Sequence, residues 1–184
     1  QMCIRDRLYA DYFEVHIIDQ RNHGRSPHAD EFSYMHLSND LHQYILENHL
    51  NDVIIIGHSL GGKTAMQFAV SYPELLSKLI IVDISPRFYP IHHDKIIEGL
   101  KILDFSTLKS RSQADTVLSE YIEEYDVRQF LLKSMYWKEK GQLDFRFNLK
   151  SISQNITNVG EALDNIANCS IPTLFIKGGN STCS

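Results

Sequence analysis

Three cysteines in 184 residues are too few for a disulfide framework, and two of them, Cys3 and Cys183, stand near the ends of the chain. Such usage points to a reducing compartment, the cytoplasm, and away from a small stapled scaffold. Long apolar runs are also missing. The longest, such as Val53–Ile56 and Leu79–Val82, fall far short of the ~20 residues of a membrane helix, so no membrane partner is expected. Positive charge is scarce, with 18 Lys and Arg against 23 Asp and Glu and a net charge of -5, which excludes the basic field that holds a phosphate backbone and with it nucleic acid as a partner. The opening QMCIRDR has no apolar h-region of the kind a secretory signal carries. What remains is ordinary globular composition, 43% hydrophobic and 22% charged, in a chain long enough for one domain with a substantial core.

The two ends read as foreign to that core. Residues 1–7 resemble the translated end of a sequencing-library adaptor, and STCS breaks off just after an apolar strand pattern. The expectation is a piece of a longer protein, and residues 1–7 are set aside as a non-native segment.

Between the ends, short β-branched runs alternate with amphipathic segments. Glu14–Asp19 (EVHIID) reads as a buried strand feeding the polar loop RNHGRSPH. A helix is expected from about Ser33, with Leu37, Leu41, Tyr44 and Ile45 on one face. Asp52–His58 (DVIIIGH) and Lys78–Asp83 (KLIIVD) read as strands without alternation, which suits a parallel sheet covered on both faces. A helix opening near Gly61 and carrying Ala65, Met66, Phe68 and Ala69 must end near Pro73. This rhythm is that of a mostly parallel, doubly wound α/β sheet.

From 87 to 167 the pattern turns helical, with Ile96, Ile97, Leu100 and Leu103 on one face and Val117, Leu118, Tyr121 and Ile122 on another. This stretch reads as an inserted helical cap, whose aromatic run Phe130–Trp137 is expected to pack inside it. Ile171–Gly178 (IPTLFIKG) then returns to the sheet. The expected organisation is a partial core at 8–86 and 168–184, interrupted by the cap at 87–167.

Gly57-His58-Ser59-Leu60-Gly61-Gly62 fits G-x-S-x-G in its strand–turn–helix context. A serine on so sharp a turn adopts strained backbone angles, and side chains two residues before or after it collide with the adjoining strand and helix, hence Gly57 and Gly61. The turn exposes the serine Oγ and aims the Leu60 N–H at a developing oxyanion. The same stretch, Gly57 to Thr64, also satisfies the P-loop pattern G-x-x-x-x-G-K-[ST], with Leu79–Asp83 as the magnesium-binding acidic strand. Pattern alone does not choose. Against the P-loop stand an earlier strand and helix before the motif and the single short helix between it and the acidic strand.

Together with Asp19-Gln20-Arg21-Asn22-His23-Gly24-Arg25-Ser26 and Val82-Asp83-Ile84-Ser85-Pro86, these residues resemble the α/β-hydrolase superfamily, and within it the small esterases of the YbfF and ABHD-eleven type. The resemblance implies an incomplete α/β-hydrolase fold. It also implies hydrolysis of small-molecule acyl esters or thioesters through a Ser-Asp-His triad, without metal or cofactor.

Ser59 then takes the nucleophile's place, the alternative being a serine that only caps its helix. In most α/β-hydrolases the acid follows the strand after the cap, but here that strand runs into Lys177-Gly178-Gly179-Asn180-Ser181, and an amide cannot supply the carboxylate. The resemblance therefore implies Asp83, which could otherwise be an ordinary strand-ending aspartate turning the chain before Pro86. Asp19, Arg21 and His23 read as a structural turn network. All nine histidines lie at or before His93, so the general base and a second oxyanion donor are expected outside this stretch, which by itself would lack turnover. His92 and His93 diverge by about 100° on a helix and cannot share a metal. A third possibility, a hydrolase-fold interaction module without catalysis, stays open.

Overall fold

The computed structural model describes residues 8–89, 94–163 and 169–179. In chain order its elements are α1 (Tyr34–Glu47), β1 (Val53–His58), α2 (Leu60–Ser71), a 3₁₀ turn (Pro73–Leu75), β2 (Leu76–Val82), α3 (Asp94–Ile102), α4 (Arg111–Leu118), α5 (Tyr125–Leu132), β3 (Met135–Glu139), β4 (Gln142–Phe145), α6 (Leu149–Gln154), α7 (Ile156–Gly160) and β5 (Thr173–Ile176). β1, β2 and β5 form a parallel sheet in that order, paired up to His58↔Val82 and Val82↔Ile176, so the three strands end level with one another.

Local chemistry sets the helix starts. Ser33 is extended at φ -145°, ψ 164° and accepts the His36 N–H, the geometry of a side-chain cap for α1. Ser110 accepts the Gln113 N–H at the start of α4 while the Gln113 side chain takes the Lys109 N–H in return, a reciprocal arrangement close to a capping box. Asn148 opens α6 in the same way through the Ser151 N–H. α2 stops at Tyr72 because Pro73 has no N–H with which to continue it.

Helix α2 packs on β1 and β2, and α1 packs on α2. Phe68, Ile45, Leu37, Leu79 and Ile81 are buried together in this layer. The continuous burial expected of the strands is not what forms. In β2, Leu76, Leu79 and Ile81 are buried while their neighbours are not, and Ile56, Leu174, Phe175 and Ile176 are exposed. Among the described residues the helices cover one face of the sheet, so burial follows the two-residue period of a half-covered strand.

A second correction concerns residues 14–20, which form no strand and pair with none of the described residues; Ile17 and Ile18 are exposed. β-branched residues favour extended backbone, but a strand exists only with a neighbour to bond. The third lies between 94 and 160, where an antiparallel hairpin, β3 with β4, accompanies the helices. It packs Met135, Leu143 and Phe145 with Leu100, Leu103 and Leu118 into a separate apolar cluster. Phe130 and Trp137 lie on its outside, 73% and 55% exposed, so the aromatic run is not cap interior as expected.

A row of polar side chains joins the two layers. Asn22, fully buried at φ 65°, accepts the Ala29 N–H at 2.8 Å and an Asn148 Nδ2–H at 3.1 Å, and donates to Ser151 Oγ at 3.0 Å. Ser151 and Asn155 donate to Asp30 O, Asn158 donates to Phe32 O, and Tyr34 Oη donates to Val159 O. These bonds fix the loop before α1 to α6 and α7. Asn22→Ala would remove three hydrogen bonds, leave the Ala29 N–H without its acceptor and put alanine in a left-handed conformation that asparagine tolerates better, a loss of about 2–4 kcal/mol. Urea unfolding checks this: the midpoint should fall with an unchanged slope, whereas an unchanged midpoint would remove Asn22 from the account.

Candidate active site

The site is built where strands end and the next segments turn away. β1 stops at His58 and α2 begins at Leu60, leaving one residue, Ser59, to reverse the chain. It does so at φ 52°, ψ -119°, a left-handed conformation that costs a residue with a side chain on the order of 1–3 kcal/mol. Its N–H donates to Val82 O at 3.2 Å, and its carbonyl accepts the N–H groups of Gly62 and Lys63 at 2.9 and 3.1 Å. The side chain makes no capping bond and the residue is exposed, so the role of a simple helix cap does not fit. Leu60 opens α2, and an N–H in the first turn of a helix has no carbonyl within that helix to bond.

Two glycines make the turn sterically possible. A Cβ on Gly57 would sit 2.3 Å from the Gly61 carbonyl oxygen and 2.7 Å from Gly62 Cα, and a Cβ on Gly62 would sit 2.5 Å from Ile84 Cγ2. Gly61 is different: a Cβ there would meet only Gln20 Nε2, at 3.9 Å, an ordinary contact. The steric demand expected at Gly61 thus falls one residue later, because the helix turns Gly62 back toward Gly57 while Gly61 faces open space beside Gln20.

Asp83 follows the last paired residue of β2 as Ser59 follows that of β1, and it too is left-handed, at φ 56°. Its N–H donates to Ile176 O at 2.7 Å, and its Oδ1 accepts the Gly178 N–H at 3.2 Å. Ser59 and Asp83 therefore occupy the same carboxyl edge on adjacent strands, the position where open α/β sheets place their ligands.

The loop 19–26 divides its duties differently from the expected network of Asp19, Arg21 and His23. Asp19 accepts the Arg25 N–H and is bonded to Ser26 through its carbonyl, and it fills the space a side chain on Gly24 would need. Arg21 turns outward and binds Asp40 of α1 through two nitrogens at 2.5 and 2.6 Å, an ion pair that raises its pKa. His23 contacts the Arg21 carbonyl.

The described histidines with hydrogen-bond partners are engaged away from Ser59 and Asp83: His16 with Tyr44 and Glu14, His23 as above, His36 with Ser33. His58 is exposed. His92, His93 and Asn180 lie outside the described residues. No group of three metal-ligating side chains occurs among the described residues, and none of their helices is long and apolar enough to cross a membrane.

The P-loop reading fails on geometry. A P-loop needs a wide loop of free N–H groups and a lysine directed into it, but here a single residue separates strand from helix, and Lys63 points elsewhere. Its side chain is 1% exposed, donates to the carbonyls of Gly160 and Glu161, and lies against the Tyr34 and Tyr89 rings. Thr64 Oγ1 donates to Leu60 O within its own helix. Burial lowers the Lys63 pKa, with Glu161 opposing, and burial raises that of Tyr34 beyond the usual phenol range. Sequence reasoning missed this use of Lys63; the available signal was a lone cation at the start of an otherwise apolar helix.

Comparison with known proteins agrees with this architecture. The model of the alpha/beta hydrolase fold family matches residues 1–108. Over 174 residues the chain is 35% identical to the sn-1-specific diacylglycerol lipase ABHD11 of Danio rerio, covering 91% of this chain and 55% of the relative. Over 165 residues it is 32% identical to the esterase YbfF of Escherichia coli, covering 89% and 63%. Among solved structures a marine microorganism esterase superposes with a TM-score of 0.90 at 44% identity, covering 97% of this chain and 70% of that one. The chain thus spans between about half and two thirds of the length of these curated relatives.

The glycine geometry makes a graded prediction. Gly57→Ala and Gly62→Ala should each lower the unfolding midpoint strongly, by about 2 kcal/mol or more, because the Gly61–Gly62 backbone must move to admit a carbon at 57, and the Ile84 side chain, with the Gly57 carbonyl oxygen 3.2 Å away, must move to admit one at 62. Gly61→Ala should stay within about 1 kcal/mol of wild type and gains some helix propensity. Chemical denaturation of the three variants side by side decides it, and equal losses at all three would contradict the assignment.

Proposed function

Because the chain belongs to the α/β-hydrolase fold family, we propose that it carries the nucleophile and the acid of a serine esterase acting on small-molecule acyl esters or thioesters. The observation that carries this reading is Ser59 itself: a left-handed, exposed serine one residue beyond a strand, with no capping bond, at the strand edge that Asp83 shares. Backbone strain of this kind persists only where surrounding packing enforces it, and it is concentrated at sites of chemistry. The names of the relatives, esterase and lipase, support the same class of reaction.

In the proposed reaction Ser59 Oγ attacks the carbonyl carbon of the acyl group and passes its proton to a histidine, which the family resemblance places after β5. Asp83 holds that imidazole in the right tautomer and stabilises the imidazolium that forms. The carbonyl oxygen becomes an oxyanion and takes a hydrogen bond from the Leu60 N–H, supported by the N-terminal end of α2. Collapse breaks the bond to the alcohol or thiol, which leaves with the proton from histidine. Water then attacks the acyl-serine with the same histidine as base, freeing the carboxylic acid and Ser59. A cytoplasmic location and the absence of a metal or cofactor belong to the same proposal.

In the full-length gene product, a fluorophosphonate should label Ser59 and no other serine, and Ser59→Ala should abolish p-nitrophenyl ester hydrolysis. Asp83→Asn should lower kcat by a factor on the order of 10⁴ with an unchanged circular dichroism spectrum. Retained hydrolysis in the Ser59→Ala variant would overturn the reading; a loss of only a few-fold in Asp83→Asn would move the acid to another residue.

A further inference from the structure

The reaction proposed above leaves one buried charge unused. Lys63 stands on the first turn of α2, four residues after Ser59, with 1% of its surface exposed. Its Nζ donates to Glu161 O at 2.5 Å and Gly160 O at 3.4 Å, and lies 5.4 and 5.0 Å from the ring centroids of Tyr34 and Tyr89. A buried ammonium is tolerable only when acceptors and aromatic faces replace its water, and here both are supplied by segments distant in sequence.

Those segments lead back to the acid. The Tyr89 N–H donates to the same Gly160 carbonyl at 2.9 Å, and Tyr89 Oη is bonded to both the N–H and the Oγ of Ser85, at 3.0 and 2.8 Å. The Leu163 N–H donates to Pro86 O at 2.9 Å, closing the loop 85–89 against 160–163. Ser85 is two residues beyond Asp83, where strand pairing has ended, so this clasp replaces the ladder as the restraint on the chain leaving the sheet.

On the reading that Ser59 and Asp83 act together, we propose that Lys63 is a positioning residue: its ammonium, through Gly160, Glu161 and Tyr89, ties the segment that follows Asp83 to the helix that follows Ser59. The two catalytic side chains thereby keep one relative geometry while substrate and products pass over them. An apolar side chain at 63 would take that donor from the Gly160 and Glu161 carbonyls and loosen the clasp.

The test uses the full-length gene product with Lys63→Met and Tyr89→Phe, the second removing only the bond to Ser85 and keeping the ring against Lys63. In Lys63→Met, kcat should fall roughly 10- to 100-fold with KM within about two-fold of wild type, since a displacement of catalytic groups near 1 Å costs about that much. Tyr89→Phe should act in the same direction by a smaller factor. Hydrogen exchange at the Tyr89 and Leu163 amides should accelerate at least about ten-fold in Lys63→Met while the Ile81 amide inside the sheet keeps its protection. Unchanged exchange at both amides overturns the clasp, and faster exchange with unchanged kcat overturns the positioning role. Should Lys63→Met not fold, Tyr89→Phe decides by its kcat and by exchange at the Ser85 amide. A wild-type protein without ester turnover would overturn the esterase reading and the positioning role with it, an outcome distinct from either of the others.

Discussion

The approach of Gly57 to Gly61 and Gly62 is the constraint from which the site follows. A helix that starts one residue after a strand ends must fold back over that strand, and the approach leaves no room for a Cβ at 57, where the Gly61 carbonyl stands, or at 62, where Ile84 Cγ2 stands. The single intervening residue absorbs the reversal at a positive φ, which throws its side chain outward and leaves the first N–H of the helix without an intrahelical acceptor. Ser59 then bonds Val82 with its own N–H, which aligns the end of β1 with the end of β2. Asp83, the next residue, repeats the device by bonding Ile176 and receiving Gly178. Ser59 and Asp83, the proposed nucleophile and acid, thus stand at adjacent strand ends, which are stiffer supports than loops.

Polar bonds set how the rest of the chain sits on this edge. The apolar cluster around the sheet and the one around the hairpin are separate, and hydrophobic contact between layers is weakly directional. Direction comes from Asn22, Asn148, Ser151, Asn155 and Asn158 on one side and from Lys63 with Tyr34 and Tyr89 on the other. Each of these groups is buried or half-buried with partners in place, and a satisfied polar network in a low-dielectric setting specifies one arrangement where apolar packing permits several.

Much of this was legible from spacing. The runs read at 52–58 and 78–83, which form strands at 53–58 and 76–82, the helix face at Leu37, Leu41 and Ile45, and the serine between glycines all follow from local periodicity and turn sterics. The failures arise where a long-range partner decides. Residues 14–20 have strand composition and no paired neighbour among the described residues, and a period read within one segment cannot supply one. The hairpin does not show in a pattern of buried parallel strands, but Met135, Leu143 and Phe145 flanking the left-handed Gly141 carry an alternating pattern and a turn. Asn148, Ser151, Asn155 and Asn158 recur at helical spacing on one face, a polar stripe that reads as solvated until the loop it binds is known. Lys63 fits a phosphate-binding pattern in one dimension; only three dimensions show its amine turned away from the loop and into a cage of carbonyls and tyrosines.

The central claim is that the strained turn presents Ser59 Oγ and the Leu60 N–H to one and the same carbonyl group. A crystal structure of the full-length gene product after reaction with an alkyl fluorophosphonate addresses it most directly, since the tetrahedral phosphorus mimics the intermediate. The account predicts a covalent bond from Ser59 Oγ to phosphorus and a phosphonyl oxygen about 2.7–3.1 Å from the Leu60 nitrogen. Phosphorus attached to any other residue, or a phosphonyl oxygen turned away from the Leu60 N–H, would contradict it.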